Sequence, residues 1–162
     1  MTSFVQGLVS HSVQRSPKEI ANSLTILLKK HKSLVDGLAL ILELGRYLVA
    51  AAAVFVSRIV DIRLSRGTND LVCDSGLDHY LGNSGNVIRQ NYPVAIGNKL
   101  KRDAQELMNI VGPLYTLLDV LANKVMLFNS STGGYVVIFQ SGAHGASASP
   151  KNFLGRAQVS EL

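Results

Sequence analysis

The clearest pattern begins at Ser16. Ile20, Leu24, Leu27 and Leu28 recur at i, i+4, i+7 and i+8, which is one face of a helix. Ser16 stands before the run as an N-cap, Pro17 takes the first helical position and Glu19 closes a capping box. Lys29, Lys30, His31 and Lys32 fill the last turn, where positive charge suits the helix dipole. Asp36-Gly37 reads as a turn. Leu38 to Leu42 is apolar throughout, the pattern of a strand buried on both faces in a parallel sheet. Helix, turn and buried strand make half of an α/β unit.

After Arg46 the periodicity changes. Tyr47 to Leu64 reads as a long strand that alternates at its end, with Ile59, Asp61 and Arg63 opposite Val60, Ile62 and Leu64. Short strands are predicted over Asp70–Cys73, Pro93–Ile96, Gln105–Val111, Lys124–Phe128 and Tyr135–Gln140, separated by glycine-bearing turns. Leu117 to Asn123 is read as one helical turn. Ser141 to Pro150 (SGAHGASASP) is rich in small residues and reads as a functional loop. Many short strands at this spacing predict an antiparallel barrel or sandwich. Residues 1–15 show no periodicity. Three segments follow: 1–15, 16–46 and 47–162.

Length narrows the choice. The chain has 162 residues, fewer than the about 250 of a complete TIM barrel. Its net charge is +5, and the excess is local. Residues 1–32 hold Arg15, Lys18, Lys29, Lys30 and Lys32 against Glu19 alone. No aromatic residues interleave this basic cluster and no nucleic-acid motif accompanies it, so it reads as a solvated helix end. Leu34 to Val56 is apolar, but Asp36, Glu43 and Arg46 interrupt it, and a spanning helix needs about 20 apolar residues. No membrane helix and no nucleic-acid partner are therefore expected. One cysteine, Cys73, excludes an internal disulfide and fits a reducing compartment. Residues 1–15 do not form a signal peptide, and the localisation expected is cytoplasmic.

The search for chemistry is mostly negative. The chain has no nucleophile elbow, Walker loop, dinucleotide fingerprint or zincin motif. Cys73 and His79 lack further ligands at metal spacing, so no metal is expected. Asp74 opens Asp-Ser-Gly and reads as a turn aspartate. Glu43 and Arg46 are more informative, because both lie just past the C-terminal end of a buried strand, where α/β barrels build active sites. Gly45 between them permits close approach of a ligand. A local salt bridge at a domain junction explains the same spacing equally well.

Four ordered stretches carry a resemblance. They are Glu43-Leu44-Gly45-Arg46-Tyr47-Leu48-Val49, Asp74-Ser75-Gly76, Val111-Gly112-Pro113-Leu114-x-Thr116-x-x-Asp119-Val120-Leu121, and Phe139-Gln140-Ser141-Gly142-Ala143-x-Gly145. Together they resemble the pyridoxal-phosphate-dependent decarboxylases of the diaminopimelate, ornithine and arginine type, and most closely the exosortase-associated branch. The resemblance runs from about Ala21 to the end.

It implies a mainly β fold (α+β overall): the C-terminal β-barrel or sandwich domain, preceded by one helix and one strand left from a TIM barrel. It implies pyridoxal phosphate as cofactor and an amino acid as substrate. The Schiff-base lysine and the glycine-rich phosphate loop belong to the barrel, so this chain is not expected to be catalytic alone. Glu43 matches the position that pairs with the cofactor's ring nitrogen. Gly45 and Arg46 match cofactor-binding positions, with Arg46 meeting the phosphate or the substrate carboxylate. Arg89 and Tyr92 fall near a substrate-contacting region. His144 replaces a tyrosine that reaches the phosphate. Tyr115 replaces a cysteine contributed across a dimer interface, and Thr116 stands where many relatives carry an acid. The partners implied are a second copy of the chain or a barrel-containing relative. A different reading is a non-catalytic interaction module, or degraded paralogue, that binds a full-length relative.

Overall fold

The structure is a computed structural model that describes residues 16–42, 44–83, 91–99 and 105–162. The chain divides into two compact units, Met1–Tyr47 and Leu48–Leu162.

The first unit contains α1 (Pro17–Lys30) and α2 (Lys32–Val35). The capping box forms as read. The Ser16 backbone N–H donates to Glu19 Oε2 at 2.8 Å, and the Glu19 N–H donates to Ser16 Oγ at 3.3 Å. These two bonds satisfy donors that the first helical turn leaves without intrahelical partners. Leu38 to Leu42, the stretch read as a buried strand, belongs to no ladder among the described residues. An apolar run specifies burial, but a strand also requires a neighbour that supplies backbone partners.

In the stretch read as one long strand, the chain first turns through α3 (Gly45–Val49) and a short 3-10 turn at Ala50–Ala52. Only then does β1 (Phe55–Ser65) begin. The other strands are β2 (Thr68–Cys73), β3 (Val94–Ile96), β4 (Gln105–Val111), β5 (Val120–Phe128) and β6 (Tyr135–Ile138). All five lie where strands were predicted, although β5 starts earlier and absorbs most of the helical turn read at Leu117–Asn123. They form one six-stranded sheet in the order β3-β6-β1-β2-β4-β5. Every pairing is antiparallel except β2 with β4, which is parallel. The edge strands β3 and β5 approach each other, so the sheet nearly closes into a barrel.

A bulge in β1 explains why the alternation read for that strand goes out of phase. Register slips between Ile59 and Asp61, so Ile59 and Ile62 both serve the core although their spacing is odd. Inside the sheet, Ile59, Leu71, Ile96, Met108, Ile110, Leu121, Val136 and Ile138 are fully buried, and Phe55 stacks on Tyr80 with ring centroids 5.2 Å apart. Burying each such aliphatic side chain contributes about 1.5–3 kcal/mol. No helix among the described residues is long and apolar enough to cross a membrane. Nor do the described residues include a metal-binding cluster.

Candidate functional site

Two loops of the sheet unit carry the Asp74-Ser75-Gly76 stretch and much of the stretch from Val111 to Leu121. The first, Asp74–Tyr80, follows β2. The second, Gly112–Asp119, joins β4 to β5. Their meeting point is the carboxylate of Asp119, 2% exposed. Its Oδ1 accepts the Leu77 N–H at 2.7 Å and its Oδ2 accepts the Leu114 N–H at 2.7 Å. Gly76 and Gly112 make this possible, because a Cβ on either would come within 2.1 Å and 2.2 Å of the carboxylate oxygens. Two motif glycines and the motif aspartate thus form one interlocked unit.

The Asp74 carboxylate anchors the start of the first loop. Its Oδ1 accepts Ser57 Oγ–H at 2.8 Å, the Arg58 N–H at 3.0 Å and Ser75 Oγ–H at 3.1 Å. Burial pushes its pKa up, but the hydrogen bonds from Ser57, Arg58 and Ser75, aided by the Arg58 charge, outweigh this and leave it below the ordinary carboxylate value. A folded pKa below the unfolded one adds stability above the ordinary carboxylate range, and that stability is lost as pH falls through the lowered value. Asp74→Asn should therefore narrow the stability gap to the native chain as pH drops from about 6 to about 2. Urea denaturation across that range measures it, and a gap that stays constant refutes the assignment. The neighbouring Cys73 thiol is pushed up to about 12, first by burial and then by the Asp74 and Asp119 charges, against a hydrogen bond from Ser57. It is a packed thiol, not a reactive one.

Past Asp119, the second loop reaches outward. Tyr115 is 98% exposed and Leu117 is 97% exposed. Thr116 is occupied within this tip: its Oγ1 accepts the Leu118 N–H at 3.3 Å and its carbonyl accepts the Asp119 N–H at 3.2 Å. The structure therefore places Tyr115 and Thr116 together on one projecting tip.

The other site residues are dispersed. Glu43 and Arg89 lie outside the described residues. Gly45 opens α3, and a Cβ placed on it meets nothing within 4 Å. Arg46 is half-buried in the same helix. His144 is exposed in the Ser141–Pro150 loop with a positive φ of 57°. Tyr92 lies inside the sheet unit. It is 5% exposed and belongs to the hydrophobic core, so the structure gives its ring a packing role. Its apolar body fills the barrel interior.

Sequence reasoning missed the C-terminal segment. Arg156 Nε donates to Asp78 Oδ2 at 2.7 Å, its Nη2 donates to the Asp74 carbonyl, and the His79 ring Nε2 lies 2.7 Å from the Ala157 carbonyl. The segment is thereby clamped onto the first loop. The cavity beside it, about 90 Å³, is lined by Asp78, His79, Lys151 and Arg156 among others. It falls well below the roughly 300 Å³ of small-molecule pockets. No sequence motif marks this clamp, because its partners are 78 residues apart.

Comparison with known proteins now decides the family. Residues 25–142 match the family described as pyridoxal-dependent decarboxylase, C-terminal sheet domain. The chain belongs to this family. Among curated relatives, an L-glutamyl-(BtrI acyl-carrier protein) decarboxylase of Niallia circulans is 35% identical over 127 residues, which is 75% of this chain and 30% of that protein. Diaminopimelate decarboxylase of Haemophilus influenzae is 28% identical over 146 residues, covering 90% of this chain and 33% of the relative. Among solved structures, diaminopimelate decarboxylase from M. jannaschii in complex with L-lysine superposes with a TM-score of 0.72 at 24% identity. The superposition covers 96% of this chain and 36% of the other. The chain thus spans about a third of the length of the relatives it matches. The decarboxylase C-terminal domain and its barrel-like sheet stand as expected from the sequence.

Proposed function

We propose that this chain supplies the C-terminal β domain of a pyridoxal-phosphate-dependent amino-acid decarboxylase of the diaminopimelate or ornithine type, contributing part of the cofactor and substrate site and a subunit interface. The observation that carries this reading is the family match across residues 25–142. The barrel, with its lysine, comes from outside these residues.

Individual side chains carry the donor chemistry that the cofactor's phosphate takes. A phosphate dianion needs cationic or N–H donors, and Arg46 and His144 supply a guanidinium and an imidazole. The open space at Gly45 leaves room beside Arg46. Arg46 would hold the phosphate or the substrate carboxylate, and His144 would donate a hydrogen bond to the phosphate. The Glu43 carboxylate would hold a proton at the ring nitrogen. Arg89 would meet the substrate carboxylate. When bound, pyridoxal phosphate takes up the electron pair released as carbon dioxide leaves. The exposed tip at Tyr115 would enter the site of a second subunit, where its phenol can donate or accept a proton.

In an assembly that supplies the barrel, Glu43→Gln is expected to lower turnover far more than cofactor affinity. Arg46→Ala should show the opposite emphasis, losing about 1.5–3 kcal/mol of cofactor or substrate binding. Cofactor titration, turnover and melting temperature on both variants test this. Equal loss of stability with unchanged turnover would reduce the pair to a local salt bridge, and an inactive parent assembly would remove the catalytic reading.

One observation favours a second reading. The bulky Tyr115 is nearly fully exposed where the resemblance implies a small catalytic thiol. On that reading the chain is an interaction module that binds a barrel-containing relative without completing its chemistry. It predicts stable association with no gain in turnover.

A further inference from the structure

We infer that Asp119 is a positioning residue that sets the direction of the Tyr115–Leu118 tip. The tip is the segment that the proposed function assigns to a second subunit's site, so the catalytic consequence of Asp119 rests on that reading. Its structural role does not.

The tip itself is nearly devoid of packing, since Tyr115 and Leu117 lie in open solvent. Its direction must therefore be fixed at its base. Both ends of the loop are tied to Asp119. On the backbone, the Gly112 N–H donates to the Asp119 carbonyl at 2.9 Å and the Asp119 N–H donates to the Thr116 carbonyl at 3.2 Å. Through the side chain, Oδ2 takes the Leu114 N–H while Oδ1 reaches across to the Leu77 N–H of the other loop. That second bond ties the base to the loop after β2, whose own start is fixed by Asp74. The tip is thus referenced to the barrel through one buried carboxylate.

The chemistry needed at this position is narrow. Two N–H donors face two different oxygens, and only a carboxylate offers two acceptors in that geometry. An asparagine of the same size offers one carbonyl and one NH2 group, so one backbone N–H would face another donor. A longer acid is also excluded, because the glycines on both sides leave no spare room.

Backbone NMR on the 162-residue chain gives the direct test. In the native chain, through-hydrogen-bond couplings should link the Asp119 Cγ to the amide nitrogens of both Leu77 and Leu114. In Asp119→Asn, exchange at one or both of these amides should rise about tenfold or more. The increase should spread over 113–118, while the amides of Ile59, Leu71 and Val136 keep their protection. Unchanged protection of Leu77 and Leu114 overturns the inference. If Asp119→Asn does not fold, the couplings in the native chain decide: their presence supports the pin, and their absence overturns it.

The functional arm uses the barrel-supplied assembly. There Asp119→Asn should lower kcat about a hundredfold, as a misplaced group does, with cofactor affinity and KM nearly unchanged. A variant with altered amides but native kcat would overturn the positioning role. A native assembly without turnover would instead refute the proposed function and leave the amide result standing.

Discussion

Gly142→Ala is expected to lower the melting temperature by about 6–12 °C, the consequence of roughly 3 kcal/mol of lost stability in a chain of this size. The Ser141-Gly142 turn leaves β6 and presses against the segment before β1. The Ser141 N–H donates to the Ala53 carbonyl and the Gly142 N–H to the Ala50 carbonyl, both at 3.0 Å. A Cβ on Gly142 would sit 1.8 Å from the Val49 carbonyl oxygen and 3.2 Å from that of Ala50. Both obstacles are backbone, so no rotamer change relieves them. Two segments must separate, breaking the hydrogen bonds that join them. Overpacking costs typically 1–3 kcal/mol, and a clash confined to backbone belongs at the upper end. Gly45→Ala is the matched control, because its Cβ meets nothing within 4 Å. It should stay within about 0.5 kcal/mol of the parent. Calorimetry or thermal circular dichroism on both variants checks the pair, and a native melting temperature for Gly142→Ala would show that the two segments are not packed as described.

The same residues show why some of this fold was legible in the sequence. The cap at Ser16 depends on atoms three residues apart, so its signal is local and its geometry followed. The strands β2 to β6 were legible because glycine and turn residues bracket each short apolar run. Two features were not. The bulge in β1 inserts one residue without any change of composition, so simple alternation assigned Ile62 to the wrong face. The turn at Val49–Ala52 is built from residues that suit strand and helix alike, and it packs closely against Gly142.

Legibility of the site divides in a similar way. The resemblance picked out Gly76, Gly112 and Asp119 as motif residues, yet their geometry shows a shared structural reason for each: one carboxylate seated between two loops. A motif records which residues are needed, not whether the need is chemical or architectural. Tyr92 packs into the core, a placement that nothing in its sequence neighbourhood specifies. Arg156 lies beyond the matched residues 25–142, and nothing local distinguishes it from any surface arginine.

Arg156→Ala is accordingly the more telling substitution, and it should cost roughly 3 kcal/mol. The Asp78 side chain is 2% exposed, and its carboxylate is held by Arg156 Nε at 2.7 Å and by the Gly76 N–H at 3.2 Å. Removing the guanidinium leaves a buried anion with one backbone donor and the His79 ring 3.6 Å away. An uncompensated buried charge is far more costly than a lost surface pair, and that asymmetry sets the size of the effect. Arg156→Lys should recover only part of the loss. A lysine presents a compact point charge, whereas the guanidinium fork reaches both the Asp78 carboxylate and the Asp74 carbonyl. Asp78→Asn placed on Arg156→Ala should restore some stability by removing the stranded charge. The double-mutant cycle thus separates the worth of the pair from the penalty of breaking it. Urea denaturation of the four proteins near neutral pH measures the cycle. A loss under about 0.5 kcal/mol for Arg156→Ala would mean that the ion pair contributes no more than an exposed one, and that the C-terminal segment is held by Val159 packing and the His79–Ala157 hydrogen bond.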